Sequence, residues 1–490
     1  MTSSVIFLCL VIIPILAHSG LSSQPPGYLI DCGGSTNVTL GSLTYVPDSG
    51  FINVGKSIPI SAPNLLPILT TVRYFPNVSA RKSCFSIPVI RGGKYLVRTI
   101  YYYGRYDGGT HPPVFDQIVD GTKWSIVNTT RDFASGLSSY YEVVAAAMGN
   151  SLSVCLARNV HTGNSHPFIS ALEVEKLDDS VYNPTNFEKN VLVTIARNTF
   201  GADGDIISFP DDNFNRMWQP FKDQNPVVTS QSNITSSDFW NLPPAKAFNS
   251  GITTSKGKKL EIQWPAVTLP ATNYYIALYF QENRSPSPDS WRVFDVAING
   301  QTYFSKLNAT TKGVTVYAPE WPLSGRTHIT LTPAEGMPVG PVINAGEVFQ
   351  ILPVGGRTLP RDVIAMESLA KSFKNPPPDW SGDPCLPREN SWTGVTCSHN
   401  QFSRVISVVL TNAGISGSLP PDIANLTSLA HLWLGGNKLT GKIPDLSGMN
   451  ALETLHLENN ELEGSIPPSV GKLPKLQEIV ALVDHLPESA

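Results

Sequence analysis

The sequence has no cluster of basic residues and little net charge. Its 490 residues carry 35 Lys and Arg against 39 Asp and Glu, a formal net charge of -4. A protein that binds nucleic acid or an anionic membrane surface by electrostatics concentrates Lys and Arg on one face. We therefore expect no nucleic-acid partner.

Long hydrophobic runs are also missing. The most apolar stretch, Val5 to Leu16, is about twelve residues long, whereas a membrane-spanning helix needs about 20. Small and polar residues follow it, which is typical of a secretory signal peptide, although no Lys or Arg precedes the run. We expect residues 1–23 to be this signal, and no membrane span after its cleavage.

Sequence motifs of common enzyme classes are missing as well. No G-x-S-x-G, P-loop, H-E-x-x-H or kinase signature occurs. Glycoside hydrolysis needs two carboxylates at a defined separation, and the sequence offers no diagnostic pair. We expect a protein that is not an enzyme and uses no cofactor.

Cysteine is scarce, with six residues in the whole chain. Cys9 lies in the expected signal peptide, which leaves five cysteines in an oxidising compartment, an odd number. None of them forms a CxxC pair, and the nine histidines show no ligand spacing, so no zinc site is expected.

Potential glycan sites are numerous by comparison. Asn-X-Ser/Thr sequons occur at Asn37, Asn77, Asn128, Asn233, Asn283, Asn308 and Asn425. One sequon means little, but seven beside a signal peptide predict a glycoprotein that is extracellular or at the cell surface.

An internal repeat fills the chain from about residue 27 to 352. FDQIVDG (Phe115 to Gly121) in the first copy matches FDVAING (Phe294 to Gly300) in the second, and each begins twenty residues after a Tyr-containing segment. PFISALEV and PVINAGEV then follow in the same order. The repeat predicts two similar domains in tandem.

Each copy has the pattern of an all-β domain. In FDVAING, Phe294, Val296 and Ile298 alternate with polar or small residues, and the segment ends in Asn-Gly, the type I′ hairpin signal. Long helical periodicity is nearly absent. The pattern predicts two antiparallel sandwiches of about 150 to 170 residues each.

Several segments in this region resemble a known family. YLIDCGG, RYFPN, GKYLVRTIYYYGRYDG, VCLAR and PFISALEV, with YYIALYFQEN in the second copy, resemble the malectin-like region of plant receptor-like kinases and receptor-like proteins. The resemblance implies tandem jelly-roll sandwiches outside the cell, linked to cell-wall glycans or secreted peptides. Animal malectin binds a glucose disaccharide through aromatic residues and an acid at one end of its sandwich.

Leucines recur with a period of about 24 after residue 404, the period of leucine-rich repeats (LRR). Asn412, Asn437 and Asn460 are expected to hydrogen-bond the backbone of the turning coil. DWSGDPCLPRENSWTGVTC (Asp379 to Cys397) resembles the N-terminal cap of a plant-type LRR, which shields the first repeat. Arg361 to Phe373 is predicted to form an amphipathic helix that packs on that repeat through Val363, Ile364, Leu369 and Phe373.

The cap resemblance implies a disulfide between Cys385 and Cys397. We also pair Cys84 with Cys155, which leaves Cys32 as the spare thiol. The expected fold is mainly β, with tandem malectin-like jelly-roll sandwiches followed by a short LRR solenoid. The expected boundaries are 1–23 signal peptide, 25–180 sandwich 1, 185–355 sandwich 2, 356–403 helical linker and cap, 404–480 repeats and 481–490 non-repeat tail.

Sugar recognition needs aromatic faces for the pyranose ring and carboxylates or amides for its hydroxyls. This mixture occurs at the end of the Tyr-rich segment in both copies. The expected ligand-binding residues are Tyr101, Tyr103, Tyr106 and Asp107 in the first copy, and Tyr279, Phe280 and Glu282 in the second. Because side chains alternate along a strand, some of these rings must fill the core instead. A glycan on Asn283 would crowd the second set.

Four acids at matching positions are more simply structural. Asp116 and Asp295 lie inside hairpin strands, where Asp is disfavoured, and we expect them to accept hydrogen bonds from neighbouring segments. Glu173 and Glu347, in the closing strands, have the same expected role.

Trp433 and His456 lie in adjacent LRR coils on the predicted concave face, where aromatic side chains anchor protein contacts. Three to four repeats make a small surface, so a purely structural role is equally compatible with the sequence. The combined interpretation is a non-catalytic receptor-like protein that binds a cell-wall carbohydrate or secreted peptide, with the LRR contacting a partner receptor kinase. The alternative is a secreted or luminal lectin or adhesion protein with no signalling role.

Overall fold

The computed structural model describes residues 27–231, 234, 236–288 and 290–481. The expected signal peptide, the sequon at Asn233 and nearly all of the expected tail lie outside the described residues.

The first repeat is built from short, mostly buried strands. They are β1 (Gly27–Asp31), β2 (Val38–Leu40), β3 (Leu43–Pro47), β4 (Lys56–Pro59), β5 (Thr71–Tyr74), β6 (Ser83–Pro88), β7 (Lys94–Tyr101), β8 (Phe115–Val119), β9 (Thr122–Val127), β10 (Ser139–Ala146), β11 (Ser151–Arg158), β12 (Phe168–Ile169) and β13 (Ala171–Lys176). One short helix, α1 (Thr130–Ala134), precedes β10.

The second repeat follows the same plan with longer strands. They are β14 (Asn190–Phe200), β15 (Gln219–Phe221), β16 (Val227–Thr229), β17 (Ser250–Thr253), β18 (Leu260–Gln263), β19 (Leu269–Phe280), β20 (Trp291–Ile298), β21 (Gln301–Thr310), β22 (Val314–Gly325), β23 (His328–Pro333), β24 (Val342–Ile343) and β25 (Ala345–Pro353).

The C-terminal part carries one longer helix, α2 (Pro360–Ser372), and the short strands of a solenoid. These strands are β26 (Arg357–Thr358), β27 (Val395–Cys397), β28 (Phe402–Ser403), β29 (Val405–Val409), β30 (Ser416–Gly417), β31 (His431–Trp433), β32 (Lys438–Lys442), β33 (Thr454–His456), β34 (Glu461–Glu463) and β35 (Glu478–Val480). Single 3-10 turns lie at Asp48–Gly50, Pro67–Leu69, Ser236–Asp238, Ala245–Phe248, Arg388–Asn390, Pro421–Asn425 and Val470–Lys472.

The strand order confirms the tandem repeat. In the large sheet the run β1-β13-β7-β10 is followed by β14-β25-β19-β22, which is the same order in the second copy. The small sheets also correspond, β6-β11-β8-β9 in the first copy and β18-β23-β20-β21 in the second. The two matching segments found in the sequence, FDQIVDG and FDVAING, supply equivalent hairpins, β8-β9 and β20-β21.

A single large sheet runs through both repeats, because β10 pairs with β14 at Val143↔Val193 and Val144↔Leu192. We call it the shared sheet. On one face, each half packs against its small sheet around a separate apolar core. On the other face, two connecting segments cover the junction, with Val181 and Tyr182 between β13 and β14 and Trp218 between β14 and β15. The junction strands are therefore buried on both sides.

The solenoid repeats its turn chemistry from coil to coil. Asn437 accepts a hydrogen bond from the Ile415 amide (2.9 Å) and donates to the Leu410 carbonyl (2.8 Å), and Asn460 makes the corresponding bonds one coil later. Asn412 does not belong to this series. It has a left-handed backbone (φ 53) and aligns with Gly436 and Asn459, so the ladder position in the first coil is Ala413.

Helix α2 covers the start of the solenoid, and the expected apolar face is confirmed in part, because Leu369 and Phe373 are buried but Val363 is only half-buried. The buried side chains are Asp362, Ala365, Met366 and Leu369, while Ile364 is exposed. Asp362 belongs to the buried face, because its carboxylate accepts hydrogen bonds from the Arg404 side chain and the Val405 amide. A polar contact therefore contributes to the buried face, of which the apolar pattern predicted only Leu369 and Phe373.

The LRR cap is docked on the first sandwich. Two disulfides, Cys84–Cys155 in the sandwich and Cys385–Cys397 in the cap, lie on the two sides of this contact, and Cys32 is a buried free thiol. The backbone at Gly382 (φ 69) passes so close to the Cys84 sulfur that an added Cβ would lie 2.9 Å from it. The cap and the sandwich are therefore in such close contact at Gly382 that this position has no room for a side chain.

Candidate functional site

The aromatic run at the end of β7 is mostly core. Tyr101 is fully buried, its hydroxyl donates to the Gln117 side chain at 3.0 Å, and its ring meets Phe115 and Phe168 edge to face. Tyr103 is 2% exposed and packs on Phe168 as well. Both rings therefore fill the sandwich instead of presenting a face to solvent, as strand alternation requires of part of the run.

The polar edge of the same run is accessible. The Asp107 carboxylate is exposed and accepts hydrogen bonds from the Tyr103 hydroxyl (2.6 Å), the Gly109 amide (3.0 Å) and the Ser165 hydroxyl. Burial acts to raise the pKa of Asp107, but these hydrogen bonds outweigh it and lower the pKa. Asp107 is therefore an anion with a fixed orientation at neutral pH.

Three neighbours from other segments complete this surface. The Tyr106 hydroxyl donates to the His166 carbonyl at 2.6 Å, and the His166 ring stacks on Tyr74 at 6.3 Å. Arg158 donates to the Ser165 carbonyl and lies 3.3 Å from the His166 ring nitrogen. We call Tyr74, Asp107, Arg158 and His166 the Asp107 face.

Tyr74, Arg158 and His166 were not predicted from the sequence to be site residues. Tyr74 and Arg158 lie in the RYFPN and VCLAR segments that carry the family resemblance, which is the signal that points to them. His166 directly precedes PFISALEV. Burial lowers the pKa of His166, and the Arg158 charge lowers it further, so the imidazole is neutral at pH 7.

The second copy engages its corresponding residues internally. Tyr279 and Phe280 are fully buried, and the Tyr279 hydroxyl donates to the Glu347 carboxylate at 2.6 Å. Glu282 is fully buried and accepts hydrogen bonds from Arg284 and Arg292; burial acts to raise its pKa, but these bonds bring it down to about 2. In this conformation these three side chains are not available to a ligand, because all three are buried and the polar atoms of Tyr279 and Glu282 already have partners within the fold.

The paired acids make internal contacts in both copies. Asp116 accepts a hydrogen bond from Asn159 (2.8 Å) and forms an ion pair with Lys123 (2.6 Å). Asp295 accepts a hydrogen bond from the Lys306 amide at 2.7 Å. Glu173 binds Arg98 at 2.5 Å and Glu347 binds the second repeat's Arg197 at 2.7 Å. Both closing-strand glutamates therefore form buried ion pairs, although their arginines come from non-equivalent strands, β7 for Arg98 and β14 for Arg197.

The concave LRR face brings its two predicted residues together. The Trp433 and His456 rings stack at 5.0 Å with an interplanar angle of 11°, and both are half-buried. The Trp433 indole donates to the Thr454 hydroxyl at 2.7 Å, and the His456 ring lies 3.4 Å from the Glu478 carboxylate. The result is a rigid aromatic pair with polar neighbours on an open sheet face.

Five of the described sequon asparagines, Asn37, Asn77, Asn128, Asn308 and Asn425, are exposed. Asn283 differs, because its side-chain oxygen accepts a hydrogen bond from the buried Arg292. Asn128 directly follows β9 and Asn308 lies in β21, and these two are the edge strands of the small sheets. Glycans at these two positions would cover exposed sheet edges.

The described ranges contain neither a metal-binding cluster nor a membrane-spanning helix. No group of three or more His, Cys, Asp or Glu side chains there is arranged to hold a metal ion. None of the described helices is long and apolar enough to cross a membrane.

Three family models match the chain in order. The malectin-like domain matches residues 30–351, the leucine rich repeat N-terminal domain matches 359–398, and the leucine rich repeat matches 451–473. The match to the first model covers most of the chain.

Curated relatives from Arabidopsis thaliana are receptor kinases. A probable LRR receptor-like serine/threonine-protein kinase is 30% identical over 444 residues, which is 86% of this chain and 49% of the relative. A receptor-like protein kinase is 29% identical over 442 residues, 85% of this chain and 47% of the relative. The chain thus spans about half the length of the curated relatives it matches.

Solved structures share the fold of the tandem sandwiches. The ANX2 ectodomain from Arabidopsis thaliana has a TM-score of 0.55 and 18% identity, and covers 66% of this chain and 96% of its own. A structure of the plant peptide RALF23 in complex with FER and LLG2 has a TM-score of 0.53 and 18% identity, covering 67% and 96%. With the family model that matches residues 30–351, these findings show that the chain belongs to the malectin-like family, in a form with an LRR segment after the tandem sandwiches.

Proposed function

We propose that this chain is a non-catalytic extracellular ligand-binding protein of the plant receptor-like type. The main support is its architecture, because the chain matches the malectin-like and LRR parts of receptor kinases over about half of their length. Its ligand is a cell-wall carbohydrate or a secreted peptide, and its LRR contacts a partner receptor kinase. The complex of RALF23 with FER and LLG2 has a chain of the same fold, which supports a receptor role.

The Asp107 face is the proposed ligand contact in the first sandwich. It offers an exposed carboxylate with fixed orientation, the half-buried Tyr74 ring, and the Arg158 guanidinium. A carboxylate and a guanidinium suit the hydroxyls of a sugar, and an aromatic ring suits its C–H face. Of the residues predicted from the sequence, Asp107 carries this proposal. Tyr103 and Tyr106 position the face, because their hydroxyls donate hydrogen bonds to Asp107 and to the His166 carbonyl.

Calorimetric titration of the secreted chain with neutral glucose-based oligosaccharides and with candidate secreted peptides tests this site. Asp107→Asn is expected to weaken binding about tenfold or more, because it removes a charged hydrogen-bond acceptor. Asp295→Asn is the matched control, since that exposed carboxylate lies in the second sandwich. Equal affinities of both variants and the wild type would remove the Asp107 face from the proposal.

The LRR contact is tested by capture of a kinase-bearing receptor from plant membranes. Trp433→Ala and His456→Ala remove the two halves of the stacked pair, and each is expected to reduce capture while the Asp107→Asn variant retains it. An exposed LRR position outside the face, Lys475→Ala, provides the control. Undiminished capture by both variants would indicate that the pair is structural.

A secreted or luminal lectin or adhesion protein without a signalling partner is the alternative function. The exposed sequons and the Asp107 face fit it equally well. Ligand binding without any captured receptor kinase would favour this alternative.

A further inference from the structure

A cavity of about 430 Å³ lies at the end of the first sandwich that is opposite to the Asp107 face. The two ends of β7 show this, because Lys94, its first residue, lines the cavity, while the Asp107 loop follows Tyr101, its last residue. The volume falls in the usual range of small-ligand sites, about 300 to 1,000 Å³. We call it the junction cavity.

Four separate segments of the chain form the walls. Residues 91–94 and 146–148 belong to the first sandwich, residues 179–188 connect the two repeats, and Arg357 begins the connection to the LRR cap. Arg357 already links two of these segments, because its guanidinium donates to the Glu188 carbonyl at 2.6 Å. Binding sites are frequent at such junctions between domains.

The cavity contains three cations, Arg91, Lys94 and Arg357, and none of them has an ion pair with another described residue. Lys94 is 7% exposed and donates to the carbonyl oxygens of Asp179 (2.7 Å) and Val181; the Asp178 and Asp179 carboxylates favour its charged form, but neither forms a direct ion pair with it. A buried cation of this kind attracts an anion.

The same walls carry acceptors and amides. Asp179 and Glu188 are exposed acids of the lining, and Asn183 and Asn186 are exposed amides. Carboxylates accept hydrogen bonds from hydroxyls, and amides both donate and accept. Apolar lining is limited mainly to Phe187, Met148 and two alanines, which is little for the side chains of a peptide.

We propose that the junction cavity binds an acidic sugar, whose carboxylate pairs with Arg91, Lys94 and Arg357 and whose hydroxyls meet Asp179, Glu188 and the two asparagines. The combination of unpaired cations with hydroxyl acceptors carries this assignment, because a neutral sugar would leave the cations unpaired. The inference rests on the proposed ligand-binding function, but it places a second site away from the Asp107 face.

Ligand binding at this place has a structural consequence. A sugar acid that bridges Arg91 and Arg357 ties the first sandwich to the segment that leads to the cap. It therefore restricts movement between the sandwiches and the LRR, and its occupancy is expected to slow amide exchange in residues 355–358.

Calorimetry of the full secreted chain with trigalacturonic acid, and with its methyl ester as the neutral matched probe, tests the site. The acid is expected to bind, and the ester to bind about tenfold more weakly or not at all, because it lacks the charge. Arg91→Gln is expected to weaken acid binding about tenfold. Arg91 is exposed and makes no hydrogen bond or ion pair with its side chain within the described ranges, so folding is not at risk.

Lys189→Gln is the control, because it removes a nearby exposed positive charge that does not line the cavity. Equal binding of acid and ester, or equal loss in Arg91→Gln and Lys189→Gln, overturns the inference. Loss of acid binding in Asp107→Asn but not in Arg91→Gln also overturns it, while the proposed function stands. Absence of acid binding by the folded chain overturns it too, and the neutral-sugar and peptide titrations then decide the proposed function separately.

Discussion

Two buried glutamates of the shared sheet, Glu142 and Glu175, differ in the charges around them. Glu142 forms ion pairs with both Arg98 (2.8 Å) and Arg197 (2.7 Å), one arginine from each repeat. Burial alone would raise its pKa, but the two guanidinium charges lower it to about 2. Glu175 forms no ion pair with an arginine in the part of the chain that the structure describes, and burial together with the Glu173 charge raises its pKa to about 8. One glutamate is therefore ionised at neutral pH and the other is largely protonated.

Glu142→Gln is expected to lower the free energy of unfolding by about 3 to 5 kcal/mol at pH 7. Arg98 keeps Glu173 and Arg197 keeps Glu347, but each buried guanidinium loses a charge-assisted hydrogen bond to the shared carboxylate, and breaking such a buried network is costly. Urea denaturation of wild type and variant measures the change, with exposed Glu335→Gln as the control. A loss under 1 kcal/mol would contradict the idea that this ion pair connects the repeats.

Glu175→Gln is expected to change the pH dependence of stability. In the folded protein Glu175 keeps its proton up to about pH 8, whereas in the unfolded chain it ionises near its ordinary pKa of 4.5. Its contribution to the free energy of unfolding is therefore fully present below pH 4.5 and is lost as pH rises to about 8.

The variant keeps a neutral side chain, so its melting temperature is expected to fall less than that of the wild type between pH 5 and 8. Thermal melts at several pH values in this range measure the difference. Parallel curves for the two proteins would show that Glu175 does not titrate in this window.

At the scale of elements, the asparagine ladder holds the solenoid coils in register. Asn437 is 7% exposed and satisfies the Ile415 amide and the Leu410 and Leu434 carbonyls. Asn437→Ala is expected to cost about 2 to 4 kcal/mol, because buried backbone groups lose their partners. Urea denaturation followed by Trp fluorescence measures the loss.

Asn412 provides the matched control, because it looks like a ladder asparagine in the sequence but lies outside the ladder in the structure. Asn412→Gly is expected to change stability by less than about 1 kcal/mol, because its left-handed backbone matches Gly436 one coil later. A larger loss in Asn412→Gly than in Asn437→Ala would reverse the two roles.

Most elements were predictable from local chemistry. The Asn-Gly at residues 299–300 and Asp-Gly at 120–121 predicted hairpins, and both pairs have positive φ between paired strands. The face of α2 was predictable from apolar spacing only at Leu369 and Phe373, because the rest is set by the buried Asp362, which meets Arg404, 42 residues away in the chain. A local sequence pattern cannot predict a polar contact between residues that are this far apart in the chain.

The candidate sites show the same limit. A run of tyrosines predicts a site only if its rings reach solvent, and burial of Tyr101 and Tyr103 depends on Phe115, Phe168 and Phe133 from other elements. Asp107 needed no such context, because a charged residue in a Gly-rich loop stays at the surface. The junction cavity depends on four segments that are distant in sequence, and no local pattern predicted it.

At the scale of the whole molecule, the chain returns from the second repeat to the first before the LRR begins. The Gly355 amide donates to the Thr122 hydroxyl at 3.0 Å, and Arg81 donates to Asp379 and to Ser391 in the cap. The solenoid is therefore attached to sandwich 1, although sandwich 2 precedes it in sequence. A ligand bound to the first sandwich and a partner bound to the LRR would therefore contact two domains that pack directly against each other.

Lys82 is the central contact of this attachment. Its ammonium is 1% exposed and donates to the cap carbonyls of Asp383 (2.5 Å) and Leu386 (2.6 Å). Burial lowers its pKa to about 8, partly offset by Asp383 and Asp379, so it remains mostly charged at pH 7. Both carbonyls lose their donor if the ammonium is removed.

Lys82→Met is therefore expected to loosen the cap from the sandwich while the sandwich stays folded. Hydrogen exchange at pH 7 is expected to become about tenfold faster or more in residues 379–392, since two charged hydrogen bonds are lost. Exchange in β7 and β13, which do not contact the cap, is the internal reference, and exposed Lys312→Met is the matched variant. If β7 and cap exchange rise together, Lys82 supports the sandwich itself; if neither changes, the other cap contacts suffice, and the LRR is held independently of this residue.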